Sequence, residues 1–319
     1  MSTLADALLT ACAEAPTFAV LDGAQFDNLP DALREGEFVA RSLYLDRGDN
    51  NPDQVITAPH LVLLDERPAT VLGRAPAQTV PALLDLLDGK PAAVFWQCQA
   101  GEEALFKHLR GINMIMIPKE ELLKTAPLRD EDTTDETHAR VVFRHCDANV
   151  MAQTLPALTA TEAARFFGPA TGVVFAAAPN WSNGQGVTVA GKPDDLPTSK
   201  PGPLRLGQGT IDRMNGTRFA RRQTRINAYL RKVAPEHTKD VSDEDLKIAS
   251  TQFMKEAEDY GITSEAGQGK WCYLQVISGG ELCKFQSIDD IFSNPHVPSD
   301  RVVSDLLKSV SSALRSSAI

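Results

Sequence analysis

The sequence predicts an α/β N-terminal domain, a mixed or parallel sheet with flanking helices, followed by a small all-α C-terminal domain. Three observations predict it. Over residues 1–178, short apolar runs alternate with amphipathic segments, as strands buried between helices do. Residues 179–203 hold five prolines and several glycines with little that is apolar, which marks an interdomain linker. From residue 204 to 319 the strand-like runs largely stop and apolar residues recur at helical spacing.

The elements follow in order. Phe18-Ala19-Val20-Leu21 is a strand that ends in an Asp22-Gly23 turn. Ser42–Leu45 and Leu61–Leu64 are further strands. Val80–Leu87 is a short helix with Leu83, Leu84 and Leu87 on one face. Ala92–Gln97 is extended, because Val94, Phe95 and Trp96 favour a pleated surface. Glu102–Gly111 is a helix whose acidic first turn suits the positive end of the helix dipole. Met114–Ile117, Val141–His145 and Gly172–Ala177 complete the strands. Pro127–Thr137 carries five acids and no apolar period, and is expected to be a solvated loop.

In the C-terminal part, Thr210–Val233 is a long helix with Phe219, Ile226, Leu230 and Val233 on one stripe, ended by Pro235. Ser242 and Asp245 have capping spacing and start a helix that runs to Tyr260, with Gly261 as its stop. Ser264–Ile277 is a third helix despite Gly267 and Gly269. Ser299–Arg315 is a fourth, with Val302, Val303, Leu306, Leu307 and Val310 at helical spacing.

Composition bounds the function. The 319 residues suffice for about two domains, and 43% hydrophobic content supports real cores. No apolar run approaches the roughly 20 residues of a membrane helix. Residues 1–14 lack Lys and Arg, so a secretory signal is not expected. The five cysteines are scattered and never in a C-x-x-C pair, which suggests reduced thiols and a cytoplasmic home. A net charge of −10 disfavours non-specific nucleic-acid binding.

No catalytic, cofactor or metal site emerges from the residues. His145 and Cys146 are neighbours on a predicted strand, point to opposite faces and cannot form a dyad. His108 follows Glu103 but has no helical histidine partner for a zincin pattern. His60, His138, His237 and His296 are scattered. Gly207-Gln208-Gly209 lacks the lysine of a phosphate loop, and Gly184-Gln185-Gly186 lies in the linker. Asp22 suits a turn. Were the domain an enzyme, a hydrolase or transferase, then Asp22, His108 or Cys146 would be its candidates.

One cluster stands out. Between Arg205 and Lys239 nine basic residues face two acidic ones. Arg218, Arg221, Arg222 and Arg225 are spaced i, i+3, i+4, i+7 and share one helix flank. Either acids elsewhere in the chain neutralise them, or they form a docking face for an acidic partner, since guanidinium groups suit bidentate carboxylate recognition. Nucleic acid is a weaker third option, with no interleaved aromatics beyond Phe219 and Tyr229. With Tyr229 they form the candidate protein-binding set.

Several steps recur in a fixed order: Leu21-Asp22-Gly23, Ser42-Leu43-Tyr44, Ala58-Pro59-His60-Leu61-Val62, His108-Leu109-Arg110, Phe143-Arg144-His145-Cys146-Asp147 and Phe167-Gly168-Pro169. The ordered set resembles the effector chaperones (adaptors) of bacterial type VI secretion, whose N-terminal module is the domain of unknown function 4123. His60 stands where that family has an aromatic residue, and Ala148 where it has proline. Val241–Leu246 and Ala257–Ile262 resemble the helical extension of these chaperones. The resemblance implies a cytosolic, non-enzymatic adaptor without a cofactor. It would bind one cognate effector (a toxin), stabilise it and help load it onto the spike tip protein. From the composition, no membrane partner is expected and nucleic acid is a disfavoured one.

Overall fold

The structure, a computed structural model, describes residues 3–44, 51–123, 135–182, 186–199, 201–284, 286–294 and 296–317. By contact the chain divides into two units, Met1–Asn215 and Gly216–Ile319.

The first unit is organised by three strands that are apolar along most of their length: β1 (Thr17–Leu21), β3 (His60–Leu63) and β4 (Ala93–Gln97). With β2 (Ala40–Ser42), β7 (Gly172–Phe175) and β8 (Thr188–Gly191) they form one sheet in the order β2-β3-β1-β4-β7-β8. Alternate residues of β1 face opposite sides. Phe18 and Val20 join one core with Leu61, Val94, Trp96 and Val173, while Ala19 and Leu21 join another with Val62, Phe95 and Val174. Helices cover both faces. Against the first core lie α5 (Glu102–Ile112) and α8 (Ala160–Phe167); against the second lie α1 (Leu4–Glu14), α2 (Leu29–Glu35) and α4 (Pro76–Leu87). The remaining elements of this unit are α3 (Pro52–Thr57), β5 (Met114–Pro118), α6 (Lys119–Leu123), β6 (His138–Val142) and α7 (Ala148–Thr154).

The predicted α/β class holds, but the strand direction differs. Every pairing in this sheet is antiparallel, where buried apolar runs suggested a mixed or parallel sheet. The cause is two-sided burial: a strand covered on both faces loses the polar alternation that usually marks an antiparallel sheet. β5 and β6 stand apart as a separate antiparallel pair. Residues 179–203, expected to be a linker, contain β8, which pairs with β7 from Phe175↔Thr188 to Gly172↔Gly191. The prolines of that stretch flank the strand and leave its ladder intact. Leu45, Gly184, Gln185 and residues 127–134 of the expected acidic loop lie outside the described residues.

One surface loop of this unit is clamped. The Glu66 carboxylate, 3% exposed, accepts hydrogen bonds from the backbone of Val39 and Arg74 and from the Arg74 guanidinium. Arg74 also donates to the carbonyls of Gly36 and Glu37. A Cβ at Gly73 would lie 2.3 Å from the Glu66 backbone, so the closure requires glycine. The loop tip holds Val71 and Leu72 in solvent.

The second unit is helical, as predicted. It comprises the larger part of α9 (Gln208–Val233), then α10 (Pro235–Thr238), α11 (Asp243–Asp259), α12 (Glu265–Ile277), α13 (Gln286–Phe292) and α14 (Ser299–Ser317). The Ser242 hydroxyl accepts from the Asp245 amide at 3.1 Å and starts α11, and Gly261 at φ 72° follows its end. Ile226, Leu230, Leu246, Met254, Trp271, Cys272 and Val303 form the core. Gly267 explains why α12 tolerates glycine: a Cβ there would meet the Asp300 carboxylate and Ile262.

Candidate functional site

Four of the six sequence steps converge in the first unit. Asp22, Tyr44, Pro59, Asn113, Arg144 and Cys146 line one cavity of about 210 Å³. Asp22 ends β1, accepts from the Ala24 amide at 3.2 Å and is 2% exposed. Gly23 follows because a Cβ would lie 2.4 Å from the Ala58 carbonyl. The Arg144 guanidinium binds the Asp22 carboxylate through Nε and Nη2 and lies 3.4 Å from Asp147. Asp147 caps α7 by accepting from the Asn149 amide at 2.8 Å. Behind them, the buried His145 imidazole meets the Asn113 side-chain oxygen at 2.7 Å through Nε2, and the Asn113 amide donates to the Leu43 carbonyl at 3.0 Å. The bonds run from β1 to the turn after β6 and from α5's end to the segment after β2.

Burial sets the protonation of two of these groups. Burial pushes the Cys146 thiol well above its ordinary pKa, so it stays protonated at neutral pH and is a poor nucleophile. Burial lowers His145 to about 3, so it is a neutral imidazole, and its Nε2–H donates to Asn113.

The other two steps also meet each other. His108 on α5 donates from Nε2 to the Phe166 carbonyl at 2.7 Å, and its Nδ1 faces Arg165 Nη1 at 3.3 Å. Burial lowers His108 to about 4. Gly168, at φ 50°, leaves room for the imidazole; a Cβ there would sit 2.4 Å from the ring. His108 is thus a buttress between α5 and the end of α8. His60 bonds to the Ala58 carbonyl at 3.0 Å. Among the described residues no group of three or more His, Cys, Asp or Glu side chains is placed to hold a metal.

The basic cluster is partly neutralised from within. Arg205 pairs with Asp135, Arg213 donates to the Ala157 carbonyl, Arg231 pairs with Asp243, and Lys239 with Glu236. Gly207 and Thr210, at the start of α9, bond to the Glu162 carboxylate, so an internal anion occupies the glycine step there.

In the second unit the candidate set lies along one flank of α9. Arg218 is exposed; Arg221, Arg222 and Arg225 are half-buried; Tyr229 is exposed. Arg225 makes a two-pronged pair with Glu265, Nε and Nη2 each 2.6 Å from a carboxylate oxygen. Arg222 donates to Gln268 at 2.9 Å and lies 3.9 Å from Glu258. Arg225, Ile226 and Tyr229 of α9 face Glu265, Ala266, Gly269 and Lys270 of α12 across a groove of about 520 Å³. Sequence reasoning missed the α12 wall. Glu265 follows the cap residue Ser264 and carries only the signal of a first-turn acid.

Among the described residues no helix is long and apolar enough to cross a membrane. Residues 17–165 match the model of a family described as a domain of unknown function (DUF4123). Neither the curated proteins nor the solved structures yield a match to the chain.

Proposed function

We propose that this DUF4123-bearing chain is a cytoplasmic adaptor of type VI secretion that binds one cognate effector, stabilises it and helps load it onto the spike tip protein. One observation carries the reading. Asp22 and Arg144 of two motif steps pair with each other, and His145 and His108 are bonded to the Asn113 side chain and the Phe166 carbonyl, which supports a scaffold role for these steps. A module of this kind works through its surface. The arginine flank of α9 with Tyr229 supplies a surface of suitable chemistry, because tyrosine and arginine are the side chains most enriched at interface hot spots.

A second reading has an observation in its favour: the cavity that gathers Asp22, Tyr44, Arg144 and Cys146 could serve a hydrolase or transferase. The protonated Cys146 and the Asp22–Arg144 pair weigh against it.

Co-purification tests the proposal. The tagged chain, expressed in its native cells, is expected to bring down one stoichiometric toxin-like protein, with or without the spike protein. Recovery of the chain alone would count against the adaptor reading and move the cavity to the front. Cys146→Ala separates the two readings further, since it should spare effector binding and abolish any thiol chemistry.

A further inference from the structure

The arginine flank and the α9–α12 groove form one continuous strip, and its chemistry specifies what it receives. Arg218, Arg221, Arg222, Arg225 and Tyr229 span about 16 Å of helix at 1.5 Å per residue. On this strip and the facing wall of α12 stand five cations (those four arginines and Lys270) and the carboxylate of Glu265, with Glu258 of α11 3.9 Å from Arg222. The chain as a whole carries −10, so a partner drawn to this strip is selected by local charge and repelled elsewhere. The Arg225–Glu265 pair displays how a carboxylate seats on this flank. At the other end the groove presents Ile226, Tyr229, Ala266 and Gly269. Gly269 carries no side chain, and a Cβ there would rest 3.8 Å from the Tyr229 ring, in ordinary contact. Ala266 and Gly269 therefore leave a slot beside Ile226 and the exposed Tyr229.

We propose that this strip seats an acidic segment of the bound protein, with a carboxylate over the exposed Arg218 and one apolar side chain in the slot beside Tyr229. The existence of a bound protein rests on the adaptor reading above; the charge and shape of the seat do not. An acidic segment is favoured over nucleic acid because Tyr229 is the strip's single aromatic platform, whereas a nucleic-acid strand needs several to stack its bases, and because guanidinium groups here already seat a carboxylate, that of Glu265.

The test uses the purified full chain and fluorescence anisotropy at low salt. The probes are a labelled helix-forming peptide of about 15 residues repeating Glu-Ala-Leu-Glu-Ala, its Gln counterpart, and a labelled oligothymidylate of similar length. The Glu peptide is expected to bind about tenfold or more tighter than the Gln peptide. The double substitution Arg218→Glu/Arg221→Glu should weaken it by about tenfold, and so should Gly269→Leu, which fills the slot while leaving the charges in place. Equal affinity for the Glu and Gln peptides, affinity untouched by both variants, or tighter binding of oligothymidylate would each overturn the inference. Absence of peptide binding while an effector still co-purifies removes this seat and leaves the adaptor reading standing. Peptide binding without any co-purifying protein supports the seat and removes its premise.

Discussion

Lowering the pH from 7.5 to 5 should destabilise the first unit by about 4 kcal/mol through His108 and His145, which titrate near 6.5 when unfolded and are held neutral in the fold, and the burial of His60 acts in the same direction. Burial lowers His145 to about 3 and His108 to about 4. The unfolded chain therefore binds two more protons than the folded one between these values and 6.5. Stability from both is full above pH 6.5 and falls as the pH drops toward the folded values. At pH 5 each histidine costs about 2 kcal/mol, since 1.5 pH units below the unfolded value correspond to about 1.36 kcal/mol each. The contacts explain the sign. Protonated His108 could no longer accept from Arg165 and would place one cation against another. Protonated His145 would be a charge at 0% exposure with no carboxylate among its hydrogen-bond partners.

The assay is urea unfolding followed by tryptophan fluorescence in a Trp271→Phe background, which leaves Trp96 and Trp181 in the first unit as reporters. His108→Gln preserves a donor for the Phe166 carbonyl and an acceptor for Arg165. It should roughly halve the loss between pH 7.5 and 5, to about 2 kcal/mol. A pH dependence identical in the variant and the parent would refute the assignment of His108 as a neutral buttress.

Three further outcomes are expected. Gly23→Ala forces a Cβ against the Ala58 carbonyl and should cost the first unit about 2 kcal/mol or more in the same unfolding assay; an unchanged midpoint would show that the turn can move away. Arg74→Ala leaves the Glu66 carboxylate buried without its cation and should cost about 3 kcal/mol, against under about 0.5 kcal/mol for Arg67→Ala, whose pair with Asp65 is exposed; equal losses would refute the clamp. Cys146 should resist an aromatic disulfide reagent at pH 7.5 until the chain unfolds, and its rapid modification in the native protein would return a nucleophilic role to consideration.

Much of the fold was legible along the chain because it follows from local rules. The helical period of Ile226 and Leu230, the Ser242 cap with its Gly261 stop, and the apolar runs of β1, β3 and β4 each encode their element within a few residues. β8 was hidden because a four-residue edge strand set among prolines buries too little to leave a pattern. Strand direction was hidden for the opposite reason: burial on both faces removes the alternation that distinguishes antiparallel pairing.

The site divides in the same way. The sequence by itself determined which residues recur as ordered steps and that four arginines share one flank of a helix, because both are matters of order and spacing. Only the tertiary structure decided what those residues do. It brought Asp22, Tyr44 and Arg144 to one cavity from positions as far as 122 residues apart, and it gave Arg225 the carboxylate of Glu265 from another helix. It also set the protonation states of His108, His145 and Cys146. Charge, burial and hydrogen bonding act through space, and no spacing along a single segment records which distant group will supply them.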